Sequence, residues 1–142
     1  MGPAGKPGAS LRVWRDYFPN ARIFGGDIDR DILFTEDRIS TFHVDQTDPL
    51  SVGSMWSEIG GGVDLIVDDG LHQFEAGKTL FENSIAFLAK EGIYIIEDVQ
   101  VTDLLRYHRF FSETEYFFDI VNLHRKGLSL EDNSLVVIRK TF

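Results

Sequence analysis

Short apolar segments that end in acidic residues alternate with amphipathic segments along most of this sequence, and this alternation constrains the fold more than any other feature. Four of these apolar segments are predicted strands, at 22–28, 39–44, 63–67 and 93–96. Alternating strands and helices favour an α/β fold with a mostly parallel sheet and helices on both faces. Such sheets bind ligands beyond the carboxyl ends of their strands. The acidic residues found there are therefore predicted to line one rim: Asp27, Asp45, Asp68, Asp69, Glu97 and Asp98.

The segments between the strands have helical spacing. A first helix is predicted from Leu11 to Phe18, with Ser10 as its N-cap and Pro19 as its end. Lys90–Gly92 is a predicted turn before the fourth strand. Further helices are predicted at 50–59, 74–88 and 101–111, and an antiparallel pair of strands joined by a polar loop at 116–123 and 135–139. Residues 1–10 are a predicted loop, and no linker or repeat divides the chain, so 1–142 is predicted to be a single domain.

Composition excludes several classes of protein. The chain has 142 residues and no cysteine, so disulfides, thiolate zinc sites and cysteine nucleophiles are excluded. A net charge of −9 argues against a nucleic-acid backbone as the main partner. No apolar run approaches the ~20 residues of a membrane helix, and no basic-then-apolar signal segment opens the chain. The sequence therefore predicts a soluble, cytoplasmic domain without a membrane or nucleic-acid partner.

Three of the rim carboxylates follow two consecutive strands of a βαβ unit. Asp69, Glu97 and Asp98 are expected to converge within a few ångströms, where their repulsion is unfavourable without a cation. Carboxylate oxygens are ligands that suit Mg²⁺. The other interpretation is that Asp69 and Asp98 cap the helices that follow them. Spacing alone leaves both interpretations open.

His72 follows Asp69 by three residues and precedes the long predicted helix. The positive end of a helix dipole disfavours an imidazolium, so a neutral ring there can act as a general base. The other interpretation is a solvated loop histidine. No role is assigned to the other histidines, His43, His108 and His124.

Asp27 ends the first predicted strand, where nucleotide-binding α/β folds place an acid that accepts hydrogen bonds from ribose hydroxyls. Asp45 ends the second, where it could accept from an adenine amino group. Either could instead be an ordinary loop carboxylate. No phosphate-binding loop and no nucleophile elbow is present.

Five segments together resemble a known family. They are 8–19 (GASLRVWRDYFP), 25–29 (GGDID), 44–49 (VDQTDP), 64–72 (DLIVDDGLH) and 95–99 (IIEDV). In these segments the chain resembles the class I S-adenosylmethionine-dependent methyltransferases, which have a Rossmann-like fold. Within them it is most similar to the metal-dependent O-methyltransferases of macrolide-type sugars and their cephalosporin-hydroxylase-like relatives.

The resemblance implies a role for each rim residue. Asp27 would hold the cofactor ribose, and Asp45 with Gln46 would lie at the adenine. Asp69, Glu97 and Asp98 would bind Mg²⁺, with His72 as the general base that deprotonates a hydroxyl of a sugar or other small molecule. Asp68 is placed with the residues that bind S-adenosylmethionine.

One part of the family pattern is missing. The family sheet has seven strands, and the six predicted here match its second to seventh, without the first strand and its glycine-rich loop. The chain is then a fragment, or its sheet closes differently, or a partner fills the gap. An incomplete sheet exposes apolar surface and favours self-association into a homo-oligomer.

Three functions are therefore compared. The first is an S-adenosylmethionine-dependent, Mg²⁺-assisted O-methyltransferase. The second is a truncated, non-catalytic methyltransferase-like scaffold or partner module. The third is a metal-dependent hydrolase that uses the acidic rim without S-adenosylmethionine.

Overall fold

The computed structural model describes residues 6–123 and 131–140. Four helices and seven strands alternate along these residues. The helices are α1 (Ala9–Tyr17), α2 (Pro49–Ile59), α3 (Phe74–Ser84) and α4 (Leu104–Ser112). The strands are β1 (Ile23–Asp27), β2 (Thr35–Glu36), β3 (Ile39–His43), β4 (Val63–Asp68), β5 (Leu88–Val99), β6 (Phe117–Asn122) and β7 (Ser134–Arg139). Short 3₁₀ turns lie at Arg30–Ile32 and Ile85–Phe87.

The strands form two mixed sheets. In the first sheet, with order β1-β3-β2, β1 and β3 are parallel and β2 is antiparallel to β3. In the second, with order β4-β5-β7-β6, β4 and β5 are parallel and the C-terminal strands are antiparallel. The predicted α/β fold with a C-terminal antiparallel pair is thus confirmed. Within the described residues, β1 and β4 are edge strands that each pair with one neighbour.

The core lies on one face of the second sheet. Alternate residues of β5 and β7 are buried there, as the two-residue period of a strand requires. They pack against aromatic rings of α3 and α4, among them Phe81 and Phe111. From α2, Trp56 stacks on Phe87 with ring centroids 4.9 Å apart and donates a 2.8 Å hydrogen bond to the Ser84 hydroxyl. This contact ties α2 to α3 and continues the core toward the first sheet.

Three helix boundaries differ from prediction by more than one residue. Gly8, in the left-handed region at φ 73°, is the N-cap of α1 in place of Ser10, which lies inside the helix. The helix predicted to reach Leu88 ends at Ser84, because Leu88 already pairs with Val63 in the second sheet. The helix predicted from residue 101 begins at Leu104, since the preceding residues form a turn, and the Val101 amide there donates to the Glu131 carbonyl at 2.7 Å.

Strand β5 is longer than predicted and irregular in two places. The predicted turn at 90–92 is an irregularity within the strand, because Val63 pairs with Leu88 but Leu65 pairs with Ile93. Near its other end, Ile96 pairs with Val136 and Val99 with Ser134, so one extra residue of β5 forms a bulge at 97–98.

Several predictions fall outside the described residues. They concern residues 1–5, His124 and most of the loop between β6 and β7. The short strand β2 was not predicted. In the part of the chain that is described, no helix has both the length and the apolar character to span a bilayer.

Candidate active site

The loop after β4 places Asp69 beside His72. The Nε2 atom of His72 lies 3.2 Å from Oδ1 of Asp69. His72 has φ 53°, a left-handed conformation that is uncommon for a residue with a side chain. It directly precedes Gln73, the N-cap of α3, so the predicted position of the imidazole at a helix N-terminus is confirmed.

The bulge in β5 brings a second carboxylate to the same place. Asp98 lies within it at φ 48°, and its Oδ2 is 4.0 Å from Nε2 of His72. One ligand atom from each of Asp69, His72 and Asp98 lies within 4.8 Å of the others. Bulges beside active sites redirect side chains in this way. Two left-handed residues at one cluster are an observed strain of the kind that accompanies functional sites.

These carboxylates do not cap helices. The N-cap of α3 is Gln73 and that of α4 is Asp103, and neither residue is one of the rim acids. The interpretation of Asp69 and Asp98 as helix caps is therefore wrong. Their side chains are more than half exposed, at 61% and 54%. They are thus accessible to a ligand.

Glu97 is close to this cluster but separate from its group of ligand atoms. Burial, followed by the negative charges of Asp69 and Asp98, raises the pKa of the Glu97 carboxyl. It lines a small pocket together with His72, Asp68 and Gln46. A third carboxylate that feels the charge of the other two fits a cation-binding site. The assignment of Glu97 as a metal ligand stays a prediction.

Asp68, next to the cluster in sequence, lies in a different environment. It is the last residue of β4, pairs with Ile96, and is only 4% exposed. Burial raises its pKa to about 6, although hydrogen bonds from Gln46 and the Gly70 amide favour the carboxylate. A buried carboxylate facing the protein interior is placed to support the loop.

Gln46 makes the contact between the loops after β3 and β4. Its Nε2 donates to Oδ1 of Asp68 at 2.7 Å, and its Oε1 accepts from the Leu71 amide at 3.0 Å. Gln46, which is predicted to lie at the adenine of the cofactor, is thus hydrogen-bonded to the loop that carries Asp69 and His72.

The two carboxylates predicted to bind the ribose and the adenine, Asp27 and Asp45, accept hydrogen bonds within their own turns. Oδ1 of Asp27 accepts from the Asp29 amide at 2.8 Å. Oδ1 of Asp45 accepts from the hydroxyl and the amide of Thr47, and these bonds lower the pKa of Asp45. Both carboxylates are partly exposed at the ends of β1 and β3. Their roles at a cofactor stay predictions.

Two tyrosines behind Asp68 were not predicted. Tyr94 is fully buried, and among the described residues its hydroxyl has no hydrogen-bond partner. Burial, and then the charge of Asp68, raises the pKa of Tyr94 and of Tyr107. The Tyr107 hydroxyl comes within 2.3 Å of where a Cβ on Gly77 would stand, so a larger residue there would displace the buried Tyr107 ring. Alternation along β5 could have marked Tyr94 as buried, but not its proximity to Asp68.

The site therefore unites part of the predicted rim. Asp69, His72 and Asp98 form one cluster, and Glu97 lies beside it. Asp68 and Gln46 are hydrogen-bonded to each other next to this cluster, and Gln46 also bonds to the Leu71 amide. Carboxylate oxygens and an imidazole nitrogen are a donor set that can hold a divalent cation. The imidazole can also accept a proton.

Comparison with known proteins gives relatives of one kind. The chain is 35% identical over 95 residues to the 8-demethyl-8-alpha-L-rhamnosyl tetracenomycin-C 2'-O-methyltransferase of Streptomyces olivaceus, a match covering 67% of this chain and 25% of that protein. It is 35% identical over 92 residues to the demethylmacrocin O-methyltransferase of Streptomyces fradiae, covering 65% of this chain and 23% of that protein. The chain thus matches about a quarter of the length of these curated relatives.

Solved structures give the same fold. The MycE methyltransferase of the mycinamycin biosynthetic pathway, in complex with Mg, SAH and mycinamycin VI, is 25% identical with a TM-score of 0.64, over 94% of this chain and 40% of that chain. A SAM-dependent methyltransferase from Anabaena variabilis is 14% identical with a TM-score of 0.61, over 95% of this chain and 74% of that chain. At that identity the likeness shows the fold alone. No protein-family model matches the chain.

Proposed function

We propose that this chain, which belongs to the family of class I S-adenosylmethionine-dependent methyltransferases, supplies the metal- and cofactor-binding residues of an O-methyltransferase. The acceptor would be a hydroxyl of a sugar or another small molecule. The observation that carries the proposal is the convergence of Asp69, His72 and Asp98, whose ligand atoms lie within 4.8 Å of one another. We also propose that residues 1–142 form one domain, a proposal supported by the single apolar cluster that joins described elements beside both sheets.

Asp69, Glu97 and Asp98 would hold Mg²⁺. The donor set fits this ion, because Mg²⁺ prefers carboxylate oxygens and keeps several waters. The raised pKa of Glu97, caused by burial and then by the other two carboxylates, fits a site completed by a cation. When bound, Mg²⁺ supplies a charge that favours the deprotonated form of a hydroxyl, and S-adenosylmethionine supplies the methyl group.

His72 would accept the proton of the acceptor hydroxyl. Its Nε2 lies 3.2 Å from the Asp69 carboxylate and would donate to it, which leaves Nδ1 to take the proton. His72 also has a left-handed backbone at φ 53°, a strained conformation of the kind that occurs at functional sites. Removal of a general base lowers turnover by about 10²–10⁴-fold.

Asp27, Asp45, Gln46 and Asp68 would form the cofactor side of the site. Asp27 is the last residue of β1 and Asp45 follows the end of the parallel strand β3, where the carboxylates could accept from ribose and adenine groups. Gln46 and Asp68 would support this side of the site through the hydrogen bond that joins them.

The names of the relatives support the proposed class of acceptor. The proteins from Streptomyces olivaceus and Streptomyces fradiae are named for O-methylation of a rhamnosyl tetracenomycin and of demethylmacrocin. A sugar hydroxyl on a natural product is therefore the first acceptor to test. Self-association, which the sequence analysis predicts, is to be measured by light scattering.

Calorimetry tests the proposal directly. The full-length protein carrying this sequence is titrated with S-adenosylmethionine and S-adenosylhomocysteine, with and without Mg²⁺. Binding of both cofactor forms supports a methyltransferase. Binding of neither supports a non-catalytic scaffold, and binding of Mg²⁺ alone supports a hydrolase.

Variants test the roles of single residues. Asp69→Asn and Glu97→Gln are expected to weaken Mg²⁺ binding, whereas His72→Ala is expected to spare it and lower turnover. Unchanged Mg²⁺ affinity in both carboxylate variants would refute the metal site. Lost affinity in His72→Ala would make the imidazole a ligand. If replacing His43, His108 or His124 lowers turnover and replacing His72 does not, the general base is one of those histidines and not His72.

A further inference from the structure

We propose that Gln46 is a positioning residue that fixes the loop carrying Asp69 and His72 against the loop after β3. Its effect on the reaction rests on the proposed function, whereas the contact itself is a property of the fold. Gln46 would act through Asp68 and the Leu71 backbone and would not need to touch a substrate.

Both polar atoms of the Gln46 side-chain amide make hydrogen bonds to this loop. Nε2 of Gln46 donates to Asp68 at 2.7 Å, and Oε1 accepts from the Leu71 amide at 3.0 Å. The two bonds therefore hold the loop on either side of Asp69, and His72 is the next residue after Leu71. A shift of this loop would move both members of the cluster together.

Gly70 shows how closely the two loops approach. A Cβ on Gly70 would lie 2.0 Å from Oε1 of Gln46, closer than any real contact allows. Gly70 is not among the glycines with a positive φ, so its backbone would accept alanine. An alanine here would therefore displace the end of the Gln46 side chain, without added strain from a positive φ at this position.

Gln46 is itself held firmly. The Asp45 amide donates to the Ser51 hydroxyl at 2.9 Å, and the Asp45 carboxylate accepts two hydrogen bonds from Thr47. The loop after β3 is therefore a fixed support. Besides Gln46, the buried Asp68 carboxylate accepts a longer 3.3 Å bond from the Gly70 amide. Loss of Gln46 would leave a buried carboxylate poorly satisfied, and the loop would rearrange.

Hydrogen exchange tests the contact without any ligand. In the full-length protein, Gln46→Met removes both hydrogen bonds at similar side-chain volume, and Gln100→Met is the matched control at an exposed glutamine. The Leu71 amide is expected to exchange at least about tenfold faster in Gln46→Met and at the wild-type rate in Gln100→Met. An unchanged Leu71 rate in Gln46→Met overturns the proposal.

A pair of substitutions tests the effect on metal binding. Mn²⁺ affinity is measured by electron paramagnetic resonance in Gly70→Ala, Gln46→Ala and the double variant. Replacing a residue that orients ligands costs about 10–100-fold in affinity, and each single variant is expected to show such a loss. The double variant should bind no more weakly than Gln46→Ala, since the added methyl group then meets no amide.

The outcomes separate the two proposals. If the two losses of affinity multiply in the double variant, Gly70 and Gln46 act independently, which contradicts the proposed role of Gln46. Wild-type protein that binds no Mn²⁺ would refute the metal site, while the Leu71 exchange rate would still decide whether Gln46 holds the loop.

Discussion

The two sheets differ in how they are stabilised. Among the described residues up to 48, the buried apolar side chains are Ile39 and Val44, and α1 buries none. The rest of the buried apolar core lies between Val52 and Ile138. The first-sheet region (residues 9–48) is therefore lightly packed, and the second-sheet region (residues 49–123 and 131–139) carries the core.

This difference divides the candidate site as well. The predicted cofactor acids, Asp27 and Asp45, come from the lightly packed region. Asp69, His72 and Asp98 come from the well-packed region, and Gln46 bonds one region to the other. Ligand binding should thus stabilise the first-sheet region more than the second. Rigid placement matters most for the cluster that would do the chemistry.

The largest contrast is expected between Phe81→Ala and Phe24→Ala. Phe81 is 2% exposed and contacts four aromatic rings, so its loss should lower the free energy of unfolding by about 3–5 kcal/mol. Phe24 is half-buried in β1, and its loss should cost about 1–2 kcal/mol. Urea unfolding measures both. Equal losses would show that the regions are packed alike.

A second contrast concerns pH, in metal-free protein. The pKa of Asp68 is raised from 3.8 to about 6 by burial, so the folded state binds its proton more tightly than the unfolded chain. Stability from this group is complete below pH 4 and is lost as pH rises through 6, a difference of roughly 3 kcal/mol. Asp68→Asn should remove this slope in unfolding experiments between pH 4 and 7.

Asp45 in the first-sheet region should act in the opposite direction. Hydrogen bonds from Thr47 lower its pKa, so its contribution is present above its unfolded pKa and is lost as pH falls. Thr47→Val should reduce this acid sensitivity. A wild-type slope retained in Asp68→Asn would show that the buried carboxylate does not set the pH dependence.

A smaller effect is expected at the contact that extends the core into α2. Ser84→Ala leaves the buried Trp56 indole N–H without its acceptor, which should cost about 1–3 kcal/mol in unfolding experiments. Ser57→Ala is the control, since Ser57 lies on α2 beside Trp56 and its hydroxyl is exposed, and it should change stability by less than about 0.5 kcal/mol. Similar values for both would show that α2 is not tied through Trp56.

What the sequence could predict follows from the range of each interaction. The ends of β1, β3 and β4 and the grouping of Asp69 with His72 depend on neighbours in sequence; the three ends lie within one residue of prediction, and the grouping is found. The bulge that redirects Asp98 depends on the register between β5 and β7, which periodicity within one strand does not contain. The same holds for the bond from Gln46 to Asp68, between loops that follow different sheets.

The helix errors have the same origin. An apolar stripe predicts a helix through Leu88, but Val63 pairs with Leu88 and draws it into the sheet. Ser10 is a good N-cap by type, yet Gly8 takes that place because it accepts a left-handed backbone. Tertiary pairing and backbone conformation thus override local preference at these positions.

The smallest effects are expected at surface ion pairs, and these too should differ between the regions. In α3, Lys78 and Glu82 lie 3.8 Å apart with the lysine first, which is the weaker order for a helix. Glu82→Gln should lower the free energy of unfolding by less than about 0.5 kcal/mol, and by nothing measurable in 1 M salt.

In the first-sheet region, Glu36 of β2 accepts from both Arg12 and Arg15 of α1, at 2.6 and 3.3 Å. Because α1 buries no residue, these bonds carry a larger share of its attachment than Lys78 and Glu82 carry for α3. Glu36→Gln should therefore speed amide hydrogen exchange in α1, whereas Glu82→Gln should leave exchange in α3 unchanged. Equal effects would mean that packing, and not charge, holds α1 to its sheet, and the contrast between the two regions would then be one of degree.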